Sequence, residues 1–192
     1  SPESANIGVV AQLAMLAKIN EFGFLEAPYR KVLNKVKNTQ KDLLNRVLEE
    51  DVKKIAKAGQ MIDEKLAKKI SEEKSVKEIA VKPFVTDEVE YLDAMDEEKY
   101  NISAATINRD EFGNILDTLV PVRFKGDFFL EDVNKVSYID ALASQQAGLG
   151  MALIPFVSHN DAMRALVGAN QQRQAVPLLK QESPYVGTGM EE

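Results

Sequence analysis

The sequence predicts an α+β chain: a small antiparallel sheet lobe with acidic loops, an α-rich insert before it, and mixed helix and loop segments toward both ends. Three observations carry that expectation. Apolar residues recur at helical spacing over 5–19, 40–50 and 64–74. From Val76 onward the pattern changes to period-two alternation, with Ile79, Val81, Val85, Val89 and Tyr91 as its apolar members. The composition, 45% hydrophobic and 28% charged over 192 residues, is that of globular material, enough for one sizeable domain or two small ones.

The elements follow in order. A helix is expected from Ala5 to Ile19, capped by Ser4 or Asn6, with Val10, Leu13, Ala14 and Ala17 as its buried stripe and Gly23 past its end. Pro28 forces Ala27 into an extended shape, and Tyr29-Arg30-Lys31-Val32 suits a strand leading out. Thr39 can cap a helix from Gln40 to Glu50, with Leu43, Leu44, Val47 and Leu48 on one face. Ala58-Gly59 breaks that pattern, and Asp63 can cap a second helix, Glu64 to Lys74, with Leu66 and Ile70 beneath abundant lysines. Strand alternation then begins, interrupted at Pro83 and at Thr86-Asp87. Tyr100, Ile102, Leu119–Phe124, Phe128–Leu130 and Val136–Ile139 are further short strands, with turn signals at Asp96-Glu97-Glu98, Phe112-Gly113-Asn114 and Lys125-Gly126-Asp127. Beyond Ser144, the apolar run Leu149 to Val157 is expected to be buried and Asp161 to Val167 to make a short helix capped by Asn160 or Asp161. Gly168 then permits a tight backbone.

Charge and composition exclude several classes. The net charge of −6 argues against autonomous, non-specific DNA binding, which needs a basic face. Residues 1–85 carry 16 basic and 12 acidic groups, residues 86–135 carry 5 and 13, and residues 136–192 carry 3 and 5. The middle is a solvated acidic module and the last part is charge-poor. Zero cysteines exclude disulfides and thiolate metal sites and fit a cytosolic, cytoplasmic origin. With one histidine besides, zinc lacks its usual ligands. No apolar run approaches the length of a membrane span, and the start, Ser1-Pro2-Glu3-Ser4, lacks the pattern of a signal peptide.

The most informative stretch is 154–177. Arg164 and Arg173 are its only arginine or lysine side chains, and Asn170, Gln171, Gln172 and Gln174 surround the second. A guanidinium fork beside neutral amide donors suits phosphate oxygens and nucleotide edges. The alternative for Arg164 is a surface salt bridge to Asp161, three residues away. Asn170 and Gln174 can equally form a hydrogen-bond network that fixes loop shape.

Ile154-Pro155-Phe156 through Ala175-Val176-Pro177 closely resembles a block of the β subunit of bacterial DNA-directed RNA polymerase. Ser1-Pro2-Glu3-Ser4-Ala5-Asn6-Ile7-Gly8, Asn20–Val32, Val85–Leu92 and Val186–Glu191 resemble further blocks of that family, in the same order. The stretch 33–82 has no counterpart in the usual family pattern. Part of it, Arg46–Asp51 with Ala58–Leu66, looks like a recurrent stretch of the partner β′ subunit and could mark a small barrel-like unit instead of a helical hairpin.

The resemblance implies an internal β-subunit fragment. A fork region would be built from both chain ends, 1–32 and 141–192, with an α-rich insert at 33–82 and an antiparallel external lobe at 83–140. It implies that Arg164 contacts the triphosphate of the incoming nucleotide, and that Asn170 and Gln174 lie near the RNA 3′ end. Asp161 would be an orienting acceptor, and Glu3, Asn6 and Val10 would form the wall touched by nascent RNA and rifamycin antibiotics. Capping explains Asn6 equally well, and core packing Val10. Arg173 is expected to pair or pack structurally, and His159 has no catalytic counterpart.

The implied partners are the β′, α and σ subunits, the rest of β, template DNA and nascent RNA, with Mg²⁺ held by β′ and no activity of this chain alone. Departures at Ser4-Ala5, Met163 and Gln171 put contact geometry and antibiotic sensitivity in doubt. A second function remains open: the acidic sheet and the insert, 33–140, docking a regulatory protein.

Overall fold

Two long strands form the spine of the sheet. The computed structural model describes residues 12–52, 55–73 and 76–191. Strand β2, Leu25–Lys37, follows the short β1, Lys18–Ile19, through a turn in which Asn20 Oδ1 accepts from Phe22 N (3.0 Å) and Phe24 N (2.9 Å). Gly23, at a φ of 86°, closes that turn instead of ending a helix. Pro28 and the β-formers Tyr29, Val32 and Val36 drive β2, and all four are buried.

Between the two long strands lie α1, Gln40–Leu43, and α2, Glu64–Ser71. Strand β3, Glu78–Asp93, then runs back antiparallel to β2, from Lys37↔Glu78 to Glu26↔Asp93. Strand β3 runs on without interruption, but its alternation does break where the sequence suggested. Thr86–Glu88 stand opposite Lys31 alone and Val81–Pro83 opposite Asn34 alone, so Pro83–Val85 are buried in succession and Asp87–Val89 exposed in succession. Pro83 lacks an amide to donate, but its carbonyl accepts from Ile115 N at 3.0 Å.

The remaining elements are α3 (Ala94–Glu97), β4 (Ile102–Ser103), β5 (Leu119–Phe124), β6 (Asp127–Asp132) and β7 (Tyr138–Asp140). Beyond them come α4 (Leu149–Ala152) and α5 (Ala162–Arg173). Strand β7 pairs antiparallel with β2 and parallel with β4; β4 pairs with β5, and β5 with β6, both antiparallel. The path is β1-β2-β7-β4-β5-β6, with β3 on the side of β2. This is a mixed α/β fold with a mostly antiparallel sheet. Lys125 (φ 50°) and Gly126 (φ 85°) make the two-residue β5–β6 turn, the positive-φ pair that matches strand twist.

Three apolar clusters hold these strands. One joins Val36, Ile79, Val81 and Phe84 to the 33–82 segment through Leu43, Leu48, Ile62, Ala67 and Ile70. A second lies under β5 and β7, around Val120, Val122 and Ile139. The third packs Tyr29, Leu92, Ile102 and Tyr138.

Both predicted caps are present. Thr39 Oγ1 accepts from Asp42 N (3.3 Å), and Asp63 Oδ1 from Leu66 N (2.8 Å). The helices they start are shorter than the α-rich expectation. The first stops at Leu43: Asn45 turns to a φ of 61°, and Val47 and Leu48 extend to bridge Met61 and Val81. Leu43 and Leu48 are fully buried, so the apolar spacing was real but served bridged extended chain. Extended chain joined by isolated bridges, Val47 to Met61 and Val52 to Ala56, therefore occupies 45–62 where helix was expected up to Glu50. The second helix ends at Ser71, where Asn38 Nδ2 donates to the carbonyls of Ile70 (3.1 Å), Glu73 (3.0 Å) and Val76 (3.0 Å). One residue earlier, Lys37 and Glu78 form the last rung of the β2–β3 ladder, and Asn38 N donates to Lys77 O at 3.0 Å.

The helix expected over Ala5–Ile19 is corrected where it is described. Residues 5–11 lie outside the described residues. Over 12–19, Ala14 bridges Gly148, Met15 N donates to Ala147 O (2.8 Å), Leu16 takes a φ of 67°, and Lys18–Ile19 joins the sheet. Backbone partners more than 100 residues away outcompete the local helix. Leu13 is 52% exposed and Met15 is buried, the reverse of the expected stripe. The chain divides into two units, Lys18–Ala143 and Ser1–Ala17 with Ser144–Glu192. No helix among the described residues is long and apolar enough to cross a membrane.

Candidate functional site

The second unit holds the segment with Arg164. Helix α5 starts at Asp161, whose Oδ2 accepts from Met163 N at 3.2 Å, the position the sequence gave it as one of two possible caps. The helix does not stop at Val167. Gly168 stays helical, its small size letting the Ile154 side chain approach, and the turns continue to Arg173. Asn170, Gln171 and Gln172 therefore stand on a helix, and Gln174 is its C-cap, exposed. Helix α4 packs nearby: a β-carbon at Gly150 would lie 3.4 Å from Ala169 Cβ.

The two arginines differ sharply. Arg173 is held, donating to Asn170 Oδ1 and to the Gln12 amide, whose oxygen in the orientation that satisfies both groups accepts from Nε at 3.1 Å and Nη2 at 2.7 Å. Gln12 had no sequence signal for this role. Arg164 is exposed and has no hydrogen-bond or ion-pair partner among the described residues. The alternative pairing with Asp161 does not form, because that carboxylate caps the helix. His159 is exposed in a 3-10 turn, Val157–His159. Glu3, Asn6 and Val10 lie outside the described residues.

The same unit displays apolar side chains broadly. The run Leu149 to Val157, expected to be buried, leaves Leu149 57%, Met151 41% and Phe156 72% exposed, and α5 leaves Met163 75% and Leu166 60% exposed. Ala165 is the residue of α5 that is buried. The reason is geometric: a four-residue α4 and a twelve-residue α5 supply too little surface to cover each other.

In the Lys18–Ala143 unit, a cluster of tyrosines and charges ties the sheet together. The Tyr29 hydroxyl donates to Glu97 and accepts from Arg123 Nη2 (3.2 Å), and Arg123 lies 3.6 Å from Asp140. Tyr138 donates to Glu90 Oε2 at 2.6 Å, and Lys31 sits 3.3 Å from the same carboxylate. Burial, then the neighbouring carboxylates, push both tyrosine hydroxyls well above their usual range. The Tyr138 bond, then Lys31, hold Glu90 below the ordinary carboxylate value despite some desolvation. Burial raises Asp140, opposed by Arg123. Within the acidic module that the sequence suggests is solvated, Glu90 and Glu97 are in fact tyrosine partners.

An open cleft of about 1040 Å³ lies beside Arg30, Lys41, Arg46, Phe84 and Arg109, with Asp42, Asp87, Glu88, Asp110 and Glu111 also lining it. Its charges nearly balance. Among the described residues, no group of three or more His, Asp or Glu side chains is placed to hold a metal ion.

The comparisons with known proteins fit this sheet. A family model described as RNA polymerase beta subunit external 1 domain matches residues 68–141, the stretch from α2 to β7. The chain is 43% identical over 195 residues to the DNA-directed RNA polymerase subunit beta of Dehalococcoides mccartyi, with all of this chain and 15% of that protein covered. It is 38% identical over 234 residues to the same subunit of Chloroflexus aggregans (100% and 19% covered). It is 39% identical over 192 residues to that of Solibacter usitatus (100% and 13% covered). Sheet and matches together define the class, a domain of a transcription-enzyme subunit. The chain belongs to the bacterial DNA-directed RNA polymerase β-subunit family. It spans between 13% and 19% of the length of these relatives.

Proposed function

We propose that this chain contributes to the wall of an RNA polymerase active centre, where incoming nucleoside triphosphate and nascent RNA are held. In this reading Arg164 contacts the triphosphate and stabilises charge as pyrophosphate departs. Asn170 and Gln174 hold ribose or phosphate near the RNA 3′ end, Asp161 fixes the start of their helix, and Glu3, Asn6 and Val10 line the path of RNA and the antibiotic pocket. Neutral amides suit that task because they release a moving strand more readily than ion pairs do. The Mg²⁺ needed for nucleotidyl transfer would be held by the β′ subunit. The α and σ subunits, the rest of β and the DNA template complete the assembly, a cytoplasmic enzyme, and the chain alone is inactive.

The observation that carries the reading is the contrast between the arginines: Arg173 is committed to Asn170 and Gln12, whereas Arg164 is exposed with no partner among the described residues. The Arg173 bond to Asn170 weighs the other way for that amide, since it also fixes loop shape.

The test is Arg164→Ala in the full polymerase, followed by single-nucleotide addition. A charged hydrogen bond of about 1.5–3 kcal/mol corresponds to a rise in apparent KM, or a fall in kcat/KM, of roughly 10- to 100-fold. Unchanged addition kinetics would overturn the role.

A further inference from the structure

The β5–β6 hairpin brings a free strand edge and an uncovered apolar face to one place. Among the described residues, β6 pairs with β5 alone and ends the sheet. Val120 and Val122 point into the core, 0% and 1% exposed. The opposite face therefore carries Leu119, Pro121 and, at its inner end, Arg123 from β5 and, across the ladder, Asp132, Leu130 and Phe128. Leu119 is 60%, Leu130 67% and Phe128 79% exposed. Edges of this kind are normally blunted by lysine, proline or a covering element. Strand β6 has neither lysine nor proline in Asp127–Asp132.

The charges around the edge select its occupant. Asp127 and Asp132 sit at the two ends of β6, with Glu131 beside them, in a stretch, 86–135, that carries 13 acidic and 5 basic residues. A second copy pairing antiparallel, residue for residue, through β6 would set Asp127 opposite Asp132 at both ends, and a parallel in-register pair would set each aspartate against itself. Like charges directly opposite destabilise a ladder. The carboxylates likewise repel nucleic acid. A row of open amides and carbonyls flanked by carboxylates fits an extended polypeptide bearing lysine or arginine.

We infer that β6 is a strand-docking edge. It takes an extended partner segment in which apolar side chains, packing on Phe128 and Leu130, alternate with basic ones on the other face, near Asp127 and Glu131. This inference is independent of the Arg164 reading, which concerns the other unit.

The full chain is titrated with a synthetic peptide of alternating valine and lysine, and amide exchange over 127–132 is followed. Protection of about tenfold or more is expected. It should vanish when alternate peptide amides are N-methylated, and affinity should fall about tenfold in Leu130→Lys, a change at an exposed position. Four outcomes overturn the inference: unchanged exchange at saturating peptide; equal protection by the N-methylated peptide; equal binding of a valine–glutamate peptide; or protection that grows with chain concentration when no peptide is present, the sign of a second copy.

Discussion

The guanidinium of Arg46 lies over the ring of Phe84, 3.6 Å from its centroid, and its Nη1 donates to the Phe112 carbonyl at 2.8 Å. One side chain thus ties the 33–82 segment to β3 and to the 110–114 loop. Asn114, 1% exposed, repeats the tie by donating to Asn45 O at 3.0 Å. Burial lowers the Arg46 pKa, countered by Asp110, Asp87 and Asp42, so the ring and the carboxylates share the task of holding it. Arg46→Lys keeps the charge but loses the planar stack and the fork geometry. It should destabilise the chain by about 1–2 kcal/mol in urea unfolding, with faster amide exchange over 45–48 and 60–62 than elsewhere.

Gly113 cannot be replaced cheaply. Its φ is 83°, and a β-carbon there would meet Val85 O at 3.0 Å while Gly113 O itself accepts from Val85 N at 2.9 Å. Gly113→Ala should cost on the order of 1–2 kcal/mol or more, from the left-handed backbone together with the clash. Thermal unfolding checks it, with Gly59→Ala (φ 79°, nothing within 4 Å) as the control that isolates the backbone part.

Ile70 is fully buried between α2 and the strands. Ile70→Ala should destabilise by about 2–5 kcal/mol through lost burial and a cavity. If the 33–82 segment and the long hairpin share one core, circular dichroism and near-ultraviolet signals will melt together; a separate early transition would contradict a shared core.

Glu90 gives a pH dependence with a definite sign. Its folded pKa is depressed by Tyr138 first and Lys31 next, so its stabilisation is present above the unfolded carboxylate pKa and is lost as pH falls through the folded value. The side chain is 39% exposed, which limits the effect to below about 1 kcal/mol. Glu90→Gln should therefore be less stable than the parent at pH 7 and approach it as the medium becomes acidic, measured by denaturant midpoints.

The two arginines of α5 should separate in stability. Arg173→Ala removes the contacts to Asn170 and Gln12 and should lower stability by about 1 kcal/mol. Arg164→Ala, at an exposed position with no hydrogen-bond or ion-pair partner among the described residues, should change it by less than about 0.5 kcal/mol. Melting temperatures of the two variants make the comparison.

Local signals in the chain predicted local structure well. Thr39 and Asp63 cap as their side chains require, and Lys125-Gly126 makes the turn that its glycine announces. What failed depended on distant partners. Ala14 follows Gly148 and not its own helix periodicity, Leu48 turns toward Val81, and the parallel pairing of β7 with β4 has no signature in either strand. In the second unit, the cap at Asp161 was legible because capping is a property of a short stretch. Gln12, 161 residues before Arg173, was not.

Lys37 and Glu78 face each other across the closing step of one ladder, and Asn38 is bonded to Lys77 directly beyond it. Forty residues thus leave and re-enter the sheet through a doorway one rung wide. Because Leu48 bridges Val81 and Leu43 and Ile70 fill the core behind β3, the excursion is fastened again beyond its doorway, and only its exposed outer turns are free of that hold. A strain applied to those turns would be borne by the core contacts before it reached the ladder itself.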